Sequence, residues 1–258
     1  MKLGFWKCAV AAVGFAFAAS GAQAADTSVD LTGSQIGQSF GNSLVVNAGG
    51  RTLTITAWYD TTSTNFSQGV LGRYSIGLGA CNPNDGGPLP PGACASPEHT
   101  IDNHACAGVG CGTATDWVLI VFDAPVILKN VVLDPAGNND TDANYFIGTG
   151  LTALTGKNSS AASIGFPELE DLDAGAPNGT LHTITFGAIG TSGSFLLIGA
   201  HELGSAGGST ADGYSDYFKI KSLTFDPSGV VAEPATWTLM ILAFAGLAFA
   251  RRRALVRV

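Results

Sequence analysis

Asn138-Asn139-Asp140-Thr141-Asp142 sets five oxygen-bearing side chains in a row, with carboxylates at alternate positions. In an extended segment alternate side chains share one side, so Asp140 and Asp142 form a pair of hard oxygen donors of the kind calcium takes. Asn144 and backbone carbonyls are the nearest candidates to extend the shell, and Asp102 and Asp116 are acids of the neighbouring region. No glutamate closes a twelve-residue EF-hand loop, so the competing reading is a solvated turn of turn-favouring residues.

Other constellations carry less chemistry. Glu168, Glu170, Asp171 and Asp173 crowd one segment between Pro167 and Pro177. Glycoside hydrolysis needs two carboxyls held across a cleft, whereas four on one loop repel and mark a wet surface. Gly37-Gln38-Ser39-Phe40-Gly41 has the spacing of a nucleophile elbow, but no helical pattern follows the serine, so it reads as a loop. His182 and His201 stand alone, and His201-Glu202 lacks the second histidine of a zinc-protease helix. The expectation is a protein without catalytic residues.

Cys81, Cys94, Cys106 and Cys111 fall within 31 residues of a Pro- and Gly-rich stretch. In an exported chain an even count reads as two disulfides that pin the loop 81–111. Three pairings are open; Cys81–Cys94 with Cys106–Cys111 closes the shortest loops and is preferred. A zinc site with His99 and His104 is the rival, without the tight Cys-x-x-Cys knuckles of zinc ribbons.

The elements that must position these residues read as strands. From Gln38 to Phe225 no dozen residues repeat with a 3.6 period, while short runs rich in Val, Ile, Leu, Thr and aromatics alternate with Gly/Asn/Asp/Pro clusters. The expected strands are Ser43–Asn47, Thr52–Tyr59, Val70–Leu78, Asp116–Phe122, Val126–Leu133, Asn144–Gly148, Leu181–Phe186, Ser194–Gly199 and Tyr217–Phe225. Leu53, Ile55 and Ala57 alternate with threonines, giving one buried and one wet face. Trp117–Phe122 is apolar throughout, as in a strand covered on both sides. Asp123-Ala124-Pro125 reads as a hairpin turn between its flanking strands. Phe218 and Ile220 are out of phase with Leu223 and Phe225, and a bulge near Ser222 would return all four to one core. The expected fold is all-β: a single β-sandwich, jelly-roll-like, over 25–228. Outer-membrane strands would be longer and carry a lipid-facing band.

The ends differ from this body. Between Asp26 and Ala232 six cations face nineteen acids, a net −13, so a nucleic-acid partner is excluded on charge. Lys2 and Lys7, the apolar Cys8–Ala19 and Ala22-Gln23-Ala24 make 1–24 a secretory signal peptide, cut after Ala24 by signal peptidase once the general secretion machinery has engaged it. Trp237–Ala250 is a second apolar run, followed by Arg251, Arg252 and Arg253. Its fourteen residues span about 21 Å as a helix, short of a hydrocarbon core of roughly 30 Å, and the arginines would stay cytoplasmic.

Glu233-Pro234, Trp237, the apolar run and the arginine cluster together resemble a PEP-CTERM sorting signal, occupying 229–258 with membrane helix 237–250. Ala232 stands where the first proline of that signature falls. The resemblance implies a Gram-negative source, processing by an exosortase, and passage from a transient inner-membrane anchor to the cell envelope or extracellular matrix. Asp102-Asn103, Thr115–Val126, Asn139–Asp142 and Asp216–Ile220 are similar to segments in the bodies of exosortase-dependent surface proteins. That likeness implies a non-enzymatic surface role linked to exopolysaccharide, biofilm or floc. Exposed aromatics such as Trp58 and Tyr59 would stack on sugar rings. The alternatives are a calcium-assisted, lectin-like module or a carbohydrate-active or ester-cleaving hydrolase displayed by the same tail.

Overall fold

A computed structural model describes residues 25–33, 38–39, 41–61, 65–82, 100–103, 114–172, 179–187, 191–201 and 216–227, all within the compact unit Ala25–Val230. The fold is all-β. Its strands are β1 (Thr27–Asp30), β2 (Gln38–Ser39), β3 (Ser43–Ala48), β4 (Arg51–Thr61), β5 (Ser67–Gln68), β6 (Val70–Tyr74), β7 (Gly77–Cys81), β8 (Ile101–Asp102), β9 (Ala114–Pro135), β10 (Ala143–Gly148), β11 (Leu169–Asp171), β12 (His182–Thr185), β13 (Thr191–Ala200) and β14 (Tyr217–Asp226). They join in one fourteen-stranded sheet. A four-residue helix, α1 (Ala161–Ile164), is capped by the Ser160 hydroxyl and ended by Gly165 in the left-handed region.

The organising strand is β9, and here the expected hairpin gives way. Asp123-Ala124-Pro125 is not a turn: one 22-residue strand runs through it. The first half of β9 pairs with β4, from Leu53↔Phe122 to Thr61↔Ala114, and with β13, from Phe195↔Val121 to Gly199↔Trp117. Its second half pairs with β14 and β12. Other strands therefore occupy the edges a hairpin would need. The register steps from Val121 to Val126 against Phe195 and Gly193, and this irregularity absorbs the proline, which has no N–H to give the ladder. Asp123 serves a neighbour instead, accepting from the Thr52 N–H at 3.0 Å.

The unbroken apolar run of β9 is enclosed on both faces, as its sequence predicts. Val118, Ile120 and Phe122 join Leu53 and Ile55 in one buried cluster. Trp117 and Leu119 join Phe146, Phe195 and Leu197 in a second, roofed by Leu151, Leu154 and Ile164 of α1. The Trp117 ring lies 5.9 Å from Phe66 and 6.0 Å from Phe146. Gly199 is opposite it, and a Cβ there would fall 2.4 Å from the indole, so only glycine fits. At about 1.5–3 kcal/mol per buried large side chain, this interior dominates folding.

Trp58, expected to be exposed, is buried in the same cluster, and its Nε1–H donates to Thr56 Oγ1 at 2.8 Å. Its strand is covered on both faces at this end because Trp58 sits opposite Trp117. Tyr59 is half-buried. The alternation in β4 is as read: Leu53, Ile55 and Ala57 are inside and Thr54 is outside.

The phase change in β14 is resolved by the expected bulge. Ile220 faces Leu133 and Ser222 faces Val132, leaving Lys221 as the extra residue. Phe218, Ile220, Leu223 and Phe225 are all fully buried in the first cluster. The single strand expected over Val70–Leu78 is a hairpin, β6 and β7, turning at Ser75-Ile76. The acidic group around Glu170 is also no simple loop, since Leu169–Asp171 adds an edge strand to β10.

Candidate metal centre

Four segments far apart in sequence meet where β8, β13 and β14 have their ends. The turn after β9 is closed by Asn139, whose Nδ2 donates to the Ala136 carbonyl at 2.5 Å, and Gly137 takes the positive φ the turn needs. The chain then passes beside the start of β14. Asp140 and Asp216 form a parallel bridge, and the Tyr217 N–H donates to the Asp140 carbonyl at 3.1 Å. Two residues on, the Asp142 carbonyl accepts from the N–H of His201, which follows β13. Main-chain bonds thus fix Asp140, Asp142 and Asp216 before their side chains are considered.

Those side chains converge. One carboxylate oxygen from each of Asp140, Asp142 and Asp216 lies within 4.8 Å of the others, and all three residues are buried, at 2%, 2% and 0% exposure. Asn103 follows β8, next to Asp102, which pairs with Tyr217. Its Nδ2 donates to Asp216 Oδ2 at 2.9 Å and to the His201 carbonyl at 2.7 Å. The Thr141 N–H donates to Asp140 Oδ1 at 2.8 Å. At this junction Asn103 Oδ1 and His201 Nδ1 are buried and have no hydrogen-bond partner among the described residues.

Of the residues singled out in the sequence, Asp140 and Asp142 are brought together. Asp216 and Asn103 join them, although the sequence marked them only as parts of short similar segments. Asp102 and Asp116 have other tasks: Asp102 accepts from the Thr100 hydroxyl and Asp116 from the Asn82 amide, each at 3.0 Å. Asn144 donates to Glu168 at 2.8 Å. Burial, then the nearby Glu170, raises the Glu168 carboxyl above its ordinary value. His182 is not isolated, since its Nε2 lies 2.6 Å from Asp171 Oδ1.

One cation is buried close to this end of β14. Lys219 is 1% exposed, with its Nζ 5.2 Å from the centroid of the Tyr74 ring. Burial pushes its ammonium down to about 8, while Asp134 and Asp102 pull in the other direction. The same desolvation raises the Tyr74 phenol to about 12.

Cys81 ends β7, is buried and is disulfide-bonded. Cys94, Cys106 and Cys111 lie outside the described residues, as do His99 and His104 of the rival zinc reading. Ala22, Ala24, Glu233, Pro234, Trp237, Arg251, Arg252 and Arg253 also lie outside them. Among the described residues no helix is long and apolar enough to cross a membrane. No protein-family model, curated protein or solved structure matches the chain.

Proposed function

We propose that this chain is an exported surface protein, delivered to the cell envelope or extracellular matrix through a PEP-CTERM signal that an exosortase processes. The observation that carries the reading is the conjunction of Glu233-Pro234, Trp237, a fourteen-residue apolar run and Arg251-Arg252-Arg253. The positive n-region and the small residues Ala22 and Ala24 supply the matching export signal. The body, at −13 and rich in strands, is a structural or adhesive module without catalysis, associated with exopolysaccharide. Its sheet closes as a jelly-roll-like sandwich. In support, one buried cluster gathers Val118 and Ile120 from the first half of β9 with Val131 and Leu133 from the second.

A lectin-like module that bridges to sugar through calcium would need an ion open to solvent. The burial of Asp140, Asp142 and Asp216 favours a structural cation over that reading. With Trp58 buried, stacking on sugar falls to other side chains.

Intact-mass spectrometry of host cell fractions tests the sorting route. The expected mature mass lacks Met1–Ala24 and the segment beyond about Glu233–Trp237, and the protein is found outside the inner membrane. A full-length tail retained in the inner membrane would sink the proposal. Incubation with purified polysaccharides then tests the role: retention without turnover is expected, and turnover would make the protein a hydrolase.

A further inference from the structure

The carboxylates of Asp140, Asp142 and Asp216, together with the side-chain oxygen of Asn103, point to a buried calcium site that clasps β8, the turn after β9 and the start of β14. We infer this from the body alone, independently of how the protein is sorted.

The donor chemistry is the first ground. The three acids offer only hard oxygen, which suits calcium, magnesium or manganese over the softer metals that seek thiolate or imidazole. Calcium binds oxygen at about 2.3–2.6 Å, so ligands on opposite sides of one ion stand close to 5 Å apart. The three carboxylate oxygens fit within 4.8 Å of each other. Magnesium keeps most of its water and demands a tighter octahedron, which a buried cluster of three acids serves poorly.

The second ground is Asn103. Its amide nitrogen is committed twice, to Asp216 and to the His201 carbonyl. Those two bonds fix the plane of the amide and put Oδ1 on the same group that touches the Asp216 carboxylate. That oxygen is buried, in a residue 7% exposed, and accepts no hydrogen bond from any of the described residues. An unsatisfied buried carbonyl is costly, and a cation beside it supplies the missing partner. Swapping the amide's oxygen and nitrogen would not help, because it would turn an acceptor toward two acceptors.

The third ground is preorganisation. The Asp140–Asp216 bridge, the Tyr217-to-Asp140 bond and the His201-to-Asp142 bond position the acids through the main chain. An ion then binds where the main chain already holds the acids, and it links residues separated by up to 113 positions.

The test uses the full chain, stripped with a chelator and titrated with calcium chloride. Equilibrium dialysis should give one calcium per chain. Thermal unfolding should shift upward by roughly 5–10 °C when calcium is a hundredfold above its Kd. Asp142→Asn and Asp216→Asn should each weaken binding at least tenfold, whereas Asp123→Asn, at the bend of β9, should leave it unchanged. Metal analysis of the unstripped wild-type protein gives a reading that depends on no variant folding, and calcium near one per chain is expected. The proposal is overturned if that protein carries no calcium and its unfolding ignores the ion. It is equally overturned if magnesium gives the same shift at the same concentration, or if binding survives both aspartate substitutions.

Discussion

Along Trp117–Phe122 the chain is enclosed by apolar side chains on both faces; Asp140, Asp142 and Asp216 are just as thoroughly buried, beside the Asn103 amide and main-chain groups. In the first region burial is itself the driving force, and any well-shaped hydrocarbon contributes. In the second, burial is a cost that directional partners must offset, so each atom has to be placed. The apolar interior therefore tolerates exchange of similar residues, while the acidic end tolerates almost none. The two regions are joined by β9 and β14, which carry apolar residues through the core and deliver polar ones at their ends.

The sharpest way to separate the regions is to damage each and ask whether the other's chemistry responds. Trp117→Ala should cost about 3–5 kcal/mol in denaturant unfolding, from loss of a fully buried indole and the cavity left behind. The loss should be the same in chelator and in calcium. A calcium-dependent loss would erase the distinction drawn above.

Next comes pH. The ammonium of Lys219 has a pKa near 8 in the native chain against an ordinary 10.5. Between those values the unfolded chain holds more protons, so stability should rise as pH increases from about 8 to 10, by about 2–3 kcal/mol. Above that, the raised Tyr74 phenol works in the opposite direction: the unfolded chain loses its proton first and stability falls. Lys219→Met should abolish the rise, which urea titrations across that window would reveal; an unchanged rise assigns it to another group.

Asn103→Ala removes two donated hydrogen bonds at once, one to the His201 carbonyl and one to Asp216 Oδ2. A loss of about 2 kcal/mol is expected by the same unfolding assay. Asn103→Asp would add a fourth acid to the cluster, so it should destabilise in chelator and recover in calcium. Failure to recover would count against the cation clasp.

The smallest effect is expected at His182, paired with Asp171 on half-exposed strands. His182→Gln should change stability by less than about 1 kcal/mol near neutral pH. A larger loss would mean that this edge, too, belongs to the tightly specified part of the molecule.

Much of the strand pattern is legible in the sequence because alternation reports burial directly. Thr52–Tyr59 shows its inward residues, and the out-of-phase pairs of β14 announce their bulge. The hairpin at Asp123-Ala124-Pro125 misleads because proline and aspartate signal a turn locally. Here both halves of β9 are claimed by other strands, and no local signal records that competition. Trp58 misleads for a related reason. Its place at the end of an alternating strand gives no sign that Phe66 and Trp117 close over that face.

An all-β body, a strongly acidic balance, a doubly covered central strand and the alternate spacing of Asp140 and Asp142 are all legible along the chain. These follow from nearest neighbours along the chain, since a pleat of period two and a count of charges need no knowledge of the fold. Only the packing of distant segments brings Asp216 and Asn103 beside those acids, buries Lys219 and continues β9 where a turn was signalled. Each depends on which distant strands compete for an edge or meet at an end, and strand pairing is a contest between segments far apart in the chain.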